Sequence, residues 1–249
     1  MNKLVSIITP SYNSARFILD CCNSVLAQSY RDWELLIVDD CSVDNSKELI
    51  IEFAEKDARI KPIFLEANVG AAAARNVAIR KAAGKYIAFL DSDDVWSSNK
   101  LEKQLDFMQM SNISFSFTSY QPISENGSVV SPIIEAPAQI TYTDYLKNTI
   151  IGCLTVIIDK EAVGDFEMPN IRSSHDMALW LLILKRGHVA YGLNENLAQY
   201  RIVSNSNTSN KIKSALEVWK VYREVEKIGF LLSLWYFIHY SFNALKKRL

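Results

Sequence analysis

Over the first hundred residues, short apolar runs alternate with amphipathic stretches. The runs at residues 5–9, 33–38, 60–65 and 86–90 have strand length and end in turn residues. Between them, residues 15–28 carry Phe17, Cys21, Val25 and Leu26 on one helical face. Asp44 or Asn45 caps a second helix bearing Leu49, Ile50, Phe53 and Ala54, and an Ala-rich third helix spans 71–83. Strands alternating with helices predict a doubly wound α/β fold, with a mostly parallel sheet and helices on both faces. Pro62 places the third strand near an edge. In such sheets ligands gather at the carboxyl ends of the strands. Thr9-Pro10, Asp39-Asp40, Asn68 and Asp91-Ser92-Asp93-Asp94 all fall on that edge.

The second half is less regular. It predicts a helix over 101–110 and strands over 114–120, 154–158 and 198–201. A Pro-rich loop or hairpin occupies 121–139, and an apolar helix over 176–185 is closed by Gly187. Residues 204–210 are all Ser, Asn or Thr and read as a loop. Residues 228–245 hold no Lys, Arg, Asp or Glu, at the lower limit for spanning a bilayer. Ser233, His239, Ser241 and Asn243 suit a spanning helix poorly. Lys246, Lys247 and Arg248 would lie on the wrong side by the positive-inside rule. An interfacial helix fits better, turning Ile228, Leu231, Leu232, Trp235, Ile238, Phe242 and Leu245 to the lipid. Packing on the protein's own core or on a second subunit is the other reading.

Charge sharpens this picture. The 249 residues carry a formal net charge of -1, which argues against a nucleic-acid partner. Residues 209–249 hold eight Lys/Arg against three Glu, or about +5, leaving about -6 for the rest. Cys21, Cys22, Cys41 and Cys153 have no framework spacing and read as reduced thiols of a cytoplasmic protein. Residues 1–6 lead directly into a strand pattern, which predicts no signal peptide.

The candidate chemistry lies in Asp91, Asp93 and Asp94. Carboxylates this crowded repel one another unless a cation or a donor-rich ligand is present. A divalent ion shared with substrate phosphates would resolve the repulsion. Asp93 or Asp94 also suits a helix cap. Asp39 and Asp40 suit turns, Tyr12 a core position and Arg75 a surface helix.

Four stretches together resemble the family 2 nucleotide-sugar glycosyltransferases. They are Ser6-Ile7-Ile8-Thr9-Pro10-Ser11-Tyr12-Asn13, Glu34-Leu35-Leu36-Ile37-Val38-Asp39-Asp40-Cys41-Ser42-Val43-Asp44, Asn68-Val69-Gly70-Ala71-Ala72-Ala73-Ala74-Arg75-Asn76, and Tyr86-Ile87-Ala88-Phe89-Leu90-Asp91-Ser92-Asp93-Asp94. They arrive in the family's order and cover roughly the first hundred residues. Asp176-Met177-Ala178-Leu179-Trp180-Leu181 is a fifth, weaker match.

The resemblance implies a GT-A fold over residues 1–208, with a nucleotide-sugar half (1–110), an acceptor half (111–208) and a helical tail (209–249). It implies an inverting hexosyl- or N-acetylhexosaminyltransferase using Mn²⁺ or Mg²⁺. The donor would be a nucleotide-sugar, with a UDP-sugar leading, and the acceptor a glycan or lipid-linked glycan of a surface polysaccharide. The enzyme would sit on the inner face of the cytoplasmic membrane or form a homodimer through its tail.

By resemblance, Thr9, Pro10, Tyr12, Asn13, Asp39, Asp40, Asn68, Gly70 and Arg75 serve the nucleotide. Asp91-Ser92-Asp93 is the D-x-D motif, with Asp93 the direct metal ligand and Asp91 on ribose or reaching the metal through water. Asp176 is the general base, and Trp180 lies on the helix beneath the acceptor, although at this spacing a Trp is more often core than a sugar platform. Tyr200-Arg201 and the loop after them close over the diphosphate. The family usually shows Glu-Asp at the base; here His175 precedes Asp176 and could donate to Asp176 or to the acceptor. No Q-x-x-R-W motif is present, so addition of a single sugar is expected. A non-catalytic nucleotide-sugar-binding scaffold is the alternative.

Overall fold

The computed structural model describes residues 3–171, 173–203 and 211–246, apart from the side chains of 211, 212, 245 and 246. Its first half runs β1 (Val5–Ser11), α1 (Ile18–Leu26), β2 (Trp33–Asp39), α2 (Ser46–Lys56), β3 (Ile60–Phe64), α3 (Ala71–Lys81) and β4 (Tyr86–Phe89). The side-chain period of two sorts the strands onto two cores. Ile8, Leu36 and Val38 face α3, whereas Ile7, Leu35 and Ile37 face α1 and α2. At the turn into β4 only glycine fits, since a Cβ on Gly84 would lie 2.6 Å from the Leu4 carbonyl oxygen.

The second half runs β5 (Val95–Trp96), α4 (Lys100–Met110), β6 (Phe115–Ser124), β7 (Gln139–Ile140), α5 (Tyr142–Lys147), β8 (Ile157–Asp159), α6 (Lys160–Val163), α7 (His175–Lys185), β9 (Ala190–Ile202), α8 (Lys211–Lys220) and α9 (Phe230–Lys246). The sheet order is β3-β2-β1-β4-β8-β6-β9-β5, with β7 also on β9. β3, β2, β1 and β4 are parallel, as their helical crossovers require. β3 lies at the edge, as Pro62 implied. Beyond β4 the sheet is mixed. β8 is antiparallel to both neighbours, β6 and β9 are parallel, and β5 and β7 run antiparallel to β9. The excursion after β6 forms a hairpin that bridges Ile123 to Val129.

The tail folds back on the body. α8 passes into a π-helical turn (Val221–Val225), and Lys227 takes φ +54° before α9. α9 packs along α5 and α8, burying Ser233 and Tyr236. Trp219 stacks edge-on against Phe230 and Phe237, at 5.8 and 5.5 Å between ring centroids. Ile228 turns toward the core, whereas Leu231, Leu232, Trp235, Ile238 and Phe242 remain exposed. One face of this segment is therefore packed on the body, as the core-packing reading expected, and another is bare. Among the described residues, no helix is long and apolar enough to cross a membrane. The 204–210 loop and the Lys247-Arg248 end of the basic cluster lie outside the described residues.

Candidate active site

Parallel pairing of β1 with β2 and β4 sets three strand ends side by side. Ser11 is opposite Asp39, and the Leu90 N–H donates to the Ile8 carbonyl at 3.1 Å. The loops leaving these ends are tied to one another. The Asn13 N–H donates to Ser42 Oγ at 2.9 Å, and Asn13 Oδ1 accepts from the Val43 N–H at 2.9 Å. Asp39 accepts from the N–H of Ser42 at 3.0 Å and from its hydroxyl at 2.5 Å. Asp40 accepts from the N–H groups of Val69 and Gly70, each at 2.8 Å, and Asn68 donates to the Asp40 carbonyl at 3.2 Å. Gly70, at φ +88°, takes the left-handed turn that opens α3. Asn13, Asp40, Asn68 and Gly70 thus act first on the protein, fixing the loop geometry around the nucleotide candidates. Thr9 is fully buried, and its hydroxyl has no protein partner. Pro10 is half-buried. Tyr12 is 51% exposed, which leaves its ring free to lie against a planar ligand.

At the end of β4, Asp91 to Asp94 form a tight turn, closed by the Asp94 N–H on the Asp91 carbonyl at 3.0 Å. Burial, and then the neighbouring Asp91, raise the Asp93 carboxyl to about 6. Burial, Asp93 and Asp91 raise Asp94 well above the usual carboxylate range. Asp94 is 1% exposed, and its Oδ1 accepts the Arg201 N–H at 2.8 Å. It faces the protein, while Asp91, Ser92 and Asp93 stay half-exposed. Among the described residues, no group of three or more His, Cys, Asp and Glu is arranged to hold a metal. The donor set fits a hard ion all the same. Two repelling carboxylates supply oxygen ligands, and substrate phosphates would complete the shell.

Arg75, on α3, is nearly buried and joins the two halves of the site. One guanidinium nitrogen is ion-paired with Asp91. The other meets His175 Nε2 at 2.6 Å. Burial works against the Arg75 charge, but Asp91 leads the groups that outweigh it and hold its pKa above the ordinary value. Burial and then Arg75 lower the pKa of His175. A neutral imidazole accepting at Nε2 carries its proton on Nδ1. His175 opens α7, and Ser174 before it takes φ +57°. Asp176 follows in the first turn, half-exposed and near enough to Arg75 to favour its charge. Asn76 ties α3 to the segment before α7 through paired bonds to Met168, at 2.8 and 2.7 Å.

Two expectations need correction. Trp180 is fully buried and packs on Phe89 and Phe115, with ring centroids 5.4 Å away in each case. It lies in the core beneath the site, because α7 is covered on all sides. Arg201 is 4% exposed, and its guanidinium is engaged by the protein. It donates to the Asp93 carbonyl at 2.7 Å, the Glu125 carbonyl at 2.9 Å and the Asp20 carboxylate at 3.0 Å. It shapes the D-x-D turn from behind. Asp20 and Glu125 carried no signal in the sequence. Ser42 lay within the Glu34–Asp44 stretch, and the structure gives it its role as the partner of Asp39.

This geometry belongs to a GT-A glycosyltransferase. The Glycosyl transferase family 2 model matches residues 6–165, and the chain belongs to that family. It is similar to the "Putative teichuronic acid biosynthesis glycosyltransferase TuaG" of Bacillus subtilis, with 52% identity covering 99% of this chain and 98% of that protein. The Escherichia coli "UDP-Glc:alpha-D-GlcNAc-diphosphoundecaprenol beta-1,3-glucosyltransferase WfgD" is 42% identical over 98% of this chain and 94% of its own length. Two solved structures share the fold. S. aureus TarS 1-349 in complex with UDP-GlcNAc has a TM-score of 0.69 and 21% identity, over 89% of this chain and 64% of that one. The mannosyltransferase PcManGT from Pyrobaculum calidifontis, in complex with GDP-Man and Mn²⁺, has a TM-score of 0.71 and 16% identity, over 92% of this chain and 65% of that one.

Proposed function

We propose that this glycosyltransferase moves one sugar, with inversion, from a UDP-sugar to a hydroxyl of a lipid-linked glycan during cell-surface polysaccharide synthesis. The observation that carries this reading is the Arg75 bridge. Arg75 holds the Asp91–Asp93 turn on one side and, 100 residues further along the chain, His175 in the first turn of α7 on the other, which brings both to one site. Residues 1–110 form the donor half, 111–208 the acceptor half and 209–249 the tail. Tyr12 lies against the base, beside Asp39. Asp176 accepts the proton of the acceptor hydroxyl as its oxygen bonds to the anomeric carbon. The bond from that carbon to the diphosphate breaks, and its electron pair leaves with the diphosphate. Mn²⁺ or Mg²⁺, held by Asp93 with Asp91 beside it, supplies charge neutralisation on that leaving group when bound. The printed names of TuaG and WfgD support the pathway class and a diphosphoundecaprenol-linked acceptor. UDP-GlcNAc in TarS and Mn²⁺ in PcManGT support the donor and metal classes. A lipid-linked acceptor places the work at a membrane surface, which we assign to the inner face of the cytoplasmic membrane.

The test is the anomeric configuration of the product. Incubated with an α-linked UDP-sugar, Mn²⁺ and a diphosphoundecaprenol-linked sugar, the enzyme should give a β-glycoside by NMR. An α-glycoside would contradict a single displacement assisted by Asp176.

A further inference from the structure

α9 carries apolar side chains on both faces, and only one face is used. Ser233 and Tyr236 are buried, and the Asn243 amide donates to the Lys147 carbonyl at 3.0 Å. The opposite arc holds Leu231, Leu234, Trp235, Ile238 and Phe242, spaced i, i+3, i+4, i+7 and i+11. They are 81, 40, 45, 59 and 68% exposed. Soluble monomers rarely show apolar patches beyond about 300–600 Å², and patches of that size mark interaction sites. Five large side chains this bare on one helix form such a patch.

Charge selects its occupant. From residue 227 to the end, the chain has Lys227, Lys246, Lys247 and Arg248 and no Asp or Glu. Lys227 is exposed at the entry to α9. Lys147, on α5, holds its ammonium 4.9 Å from the Trp235 ring centroid. Of the preceding acids, Glu226 is engaged by Tyr142 and Lys185, whereas Glu224 is exposed one turn earlier. An aromatic-aliphatic face with Lys147 against it and Lys227 at the entry to its helix, in a segment whose sequence has no acid from 227 on, matches anionic phospholipid. A second copy would bring cation against cation.

We propose that this arc of α9 docks on an anionic phospholipid surface. The helix lies in the headgroup plane, with Leu231, Ile238 and Phe242 entering the acyl boundary and Lys147 and Lys227 at phosphate level. This deepens the lipid-linked-acceptor reading and rests on it only for its purpose. α9 packs on α5, and α5 packs on α7. The docked helix therefore holds Asp176 at a fixed height above the bilayer, where a lipid-borne hydroxyl can be presented.

The experiment is co-sedimentation of the full chain with two kinds of vesicle: phosphatidylcholine alone, and phosphatidylcholine with about 30% phosphatidylglycerol. Wild type should sediment with the anionic vesicles. The triple variant Leu231→Ser, Ile238→Ser, Phe242→Ser should lose about tenfold or more in partition, with an unchanged thermal melt because these side chains are exposed. The double variant Lys147→Glu, Lys227→Glu should lose binding to anionic vesicles and leave the phosphatidylcholine result unchanged. The proposal is overturned if wild type stays in the supernatant, or if the triple variant partitions like wild type. It also fails if the triple variant dissociates a lipid-indifferent dimer. None of these results touches the nucleotide site, which is tested without vesicles.

Discussion

Asparagine in place of Asp176 should lower kcat for sugar transfer by about 10²–10⁴-fold, the usual worth of a general base. Asn keeps the shape of the side chain and can still orient an acceptor hydroxyl, but it cannot take the proton. The fold should persist, since the change removes one acid from the first turn of α7, worth about 0.3–1 kcal/mol there. UDP binding with Mn²⁺ should be unchanged, as the proposed role of Asp176 in activating the acceptor requires. Single-turnover kinetics alongside calorimetry separate the two effects. Transfer at the wild-type rate by the Asn variant would put the base elsewhere. His175 is a poor substitute, since its Nε2 is held by Arg75.

Methionine at Arg75 should have the largest effect on stability. The Arg75 side chain is 5% exposed and its partner Asp91 is 30% exposed, so the arginine is shielded while Asp91 keeps partial access to water. Removing one member of a fully buried pair costs about 3–5 kcal/mol, and solvent at Asp91 puts this pair at the lower end, about 3 kcal/mol. At roughly 2–4 °C per kcal/mol for a chain of this size, Tm should fall by about 6–12 °C. His175→Gln, which retains an acceptor for Arg75, should lose far less. A Tm for the Arg75 variant equal to wild type would mean that the bridge is not formed in solution.

The first half was legible because its strands are short apolar runs, two of which run directly into Asp39-Asp40 and, through Leu90, Asp91, and the pattern along the chain alone reports that. The bridge was not. Arg75 and His175 are distant in sequence, and nothing local says that their side chains meet. Arg201 was misread for the same reason: its partners Asp20, Asp93 and Glu125 come from three separate loops. Lys100, just ahead of the helix expected over 101–110, is fully buried. Its ammonium donates to Gln104 at 2.7 Å and lies 4.3 Å from the Trp96 ring centroid, and burial holds its pKa well below the ordinary amine value. β9 was expected over four residues and runs from Ala190 to Ile202. Gly192, Asn194, Glu195 and Asn196 mask its period. In α9 helical spacing grouped Leu231, Leu232, Trp235, Ile238 and Phe242, which are exposed, with Ile228, which turns toward the core; apolar residues encircle the helix, so its spacing did not mark where the packed arc begins.

We propose that the end of β4 binds a nucleoside diphosphate through a divalent ion. In calorimetry of UDP with wild type and Asp93→Ala, each with and without Mn²⁺, UDP should bind wild type only when Mn²⁺ is present and should not bind the variant. Metal-independent binding of equal strength in both proteins would place the diphosphate elsewhere, and folded wild type that binds no nucleotide would rule the site out.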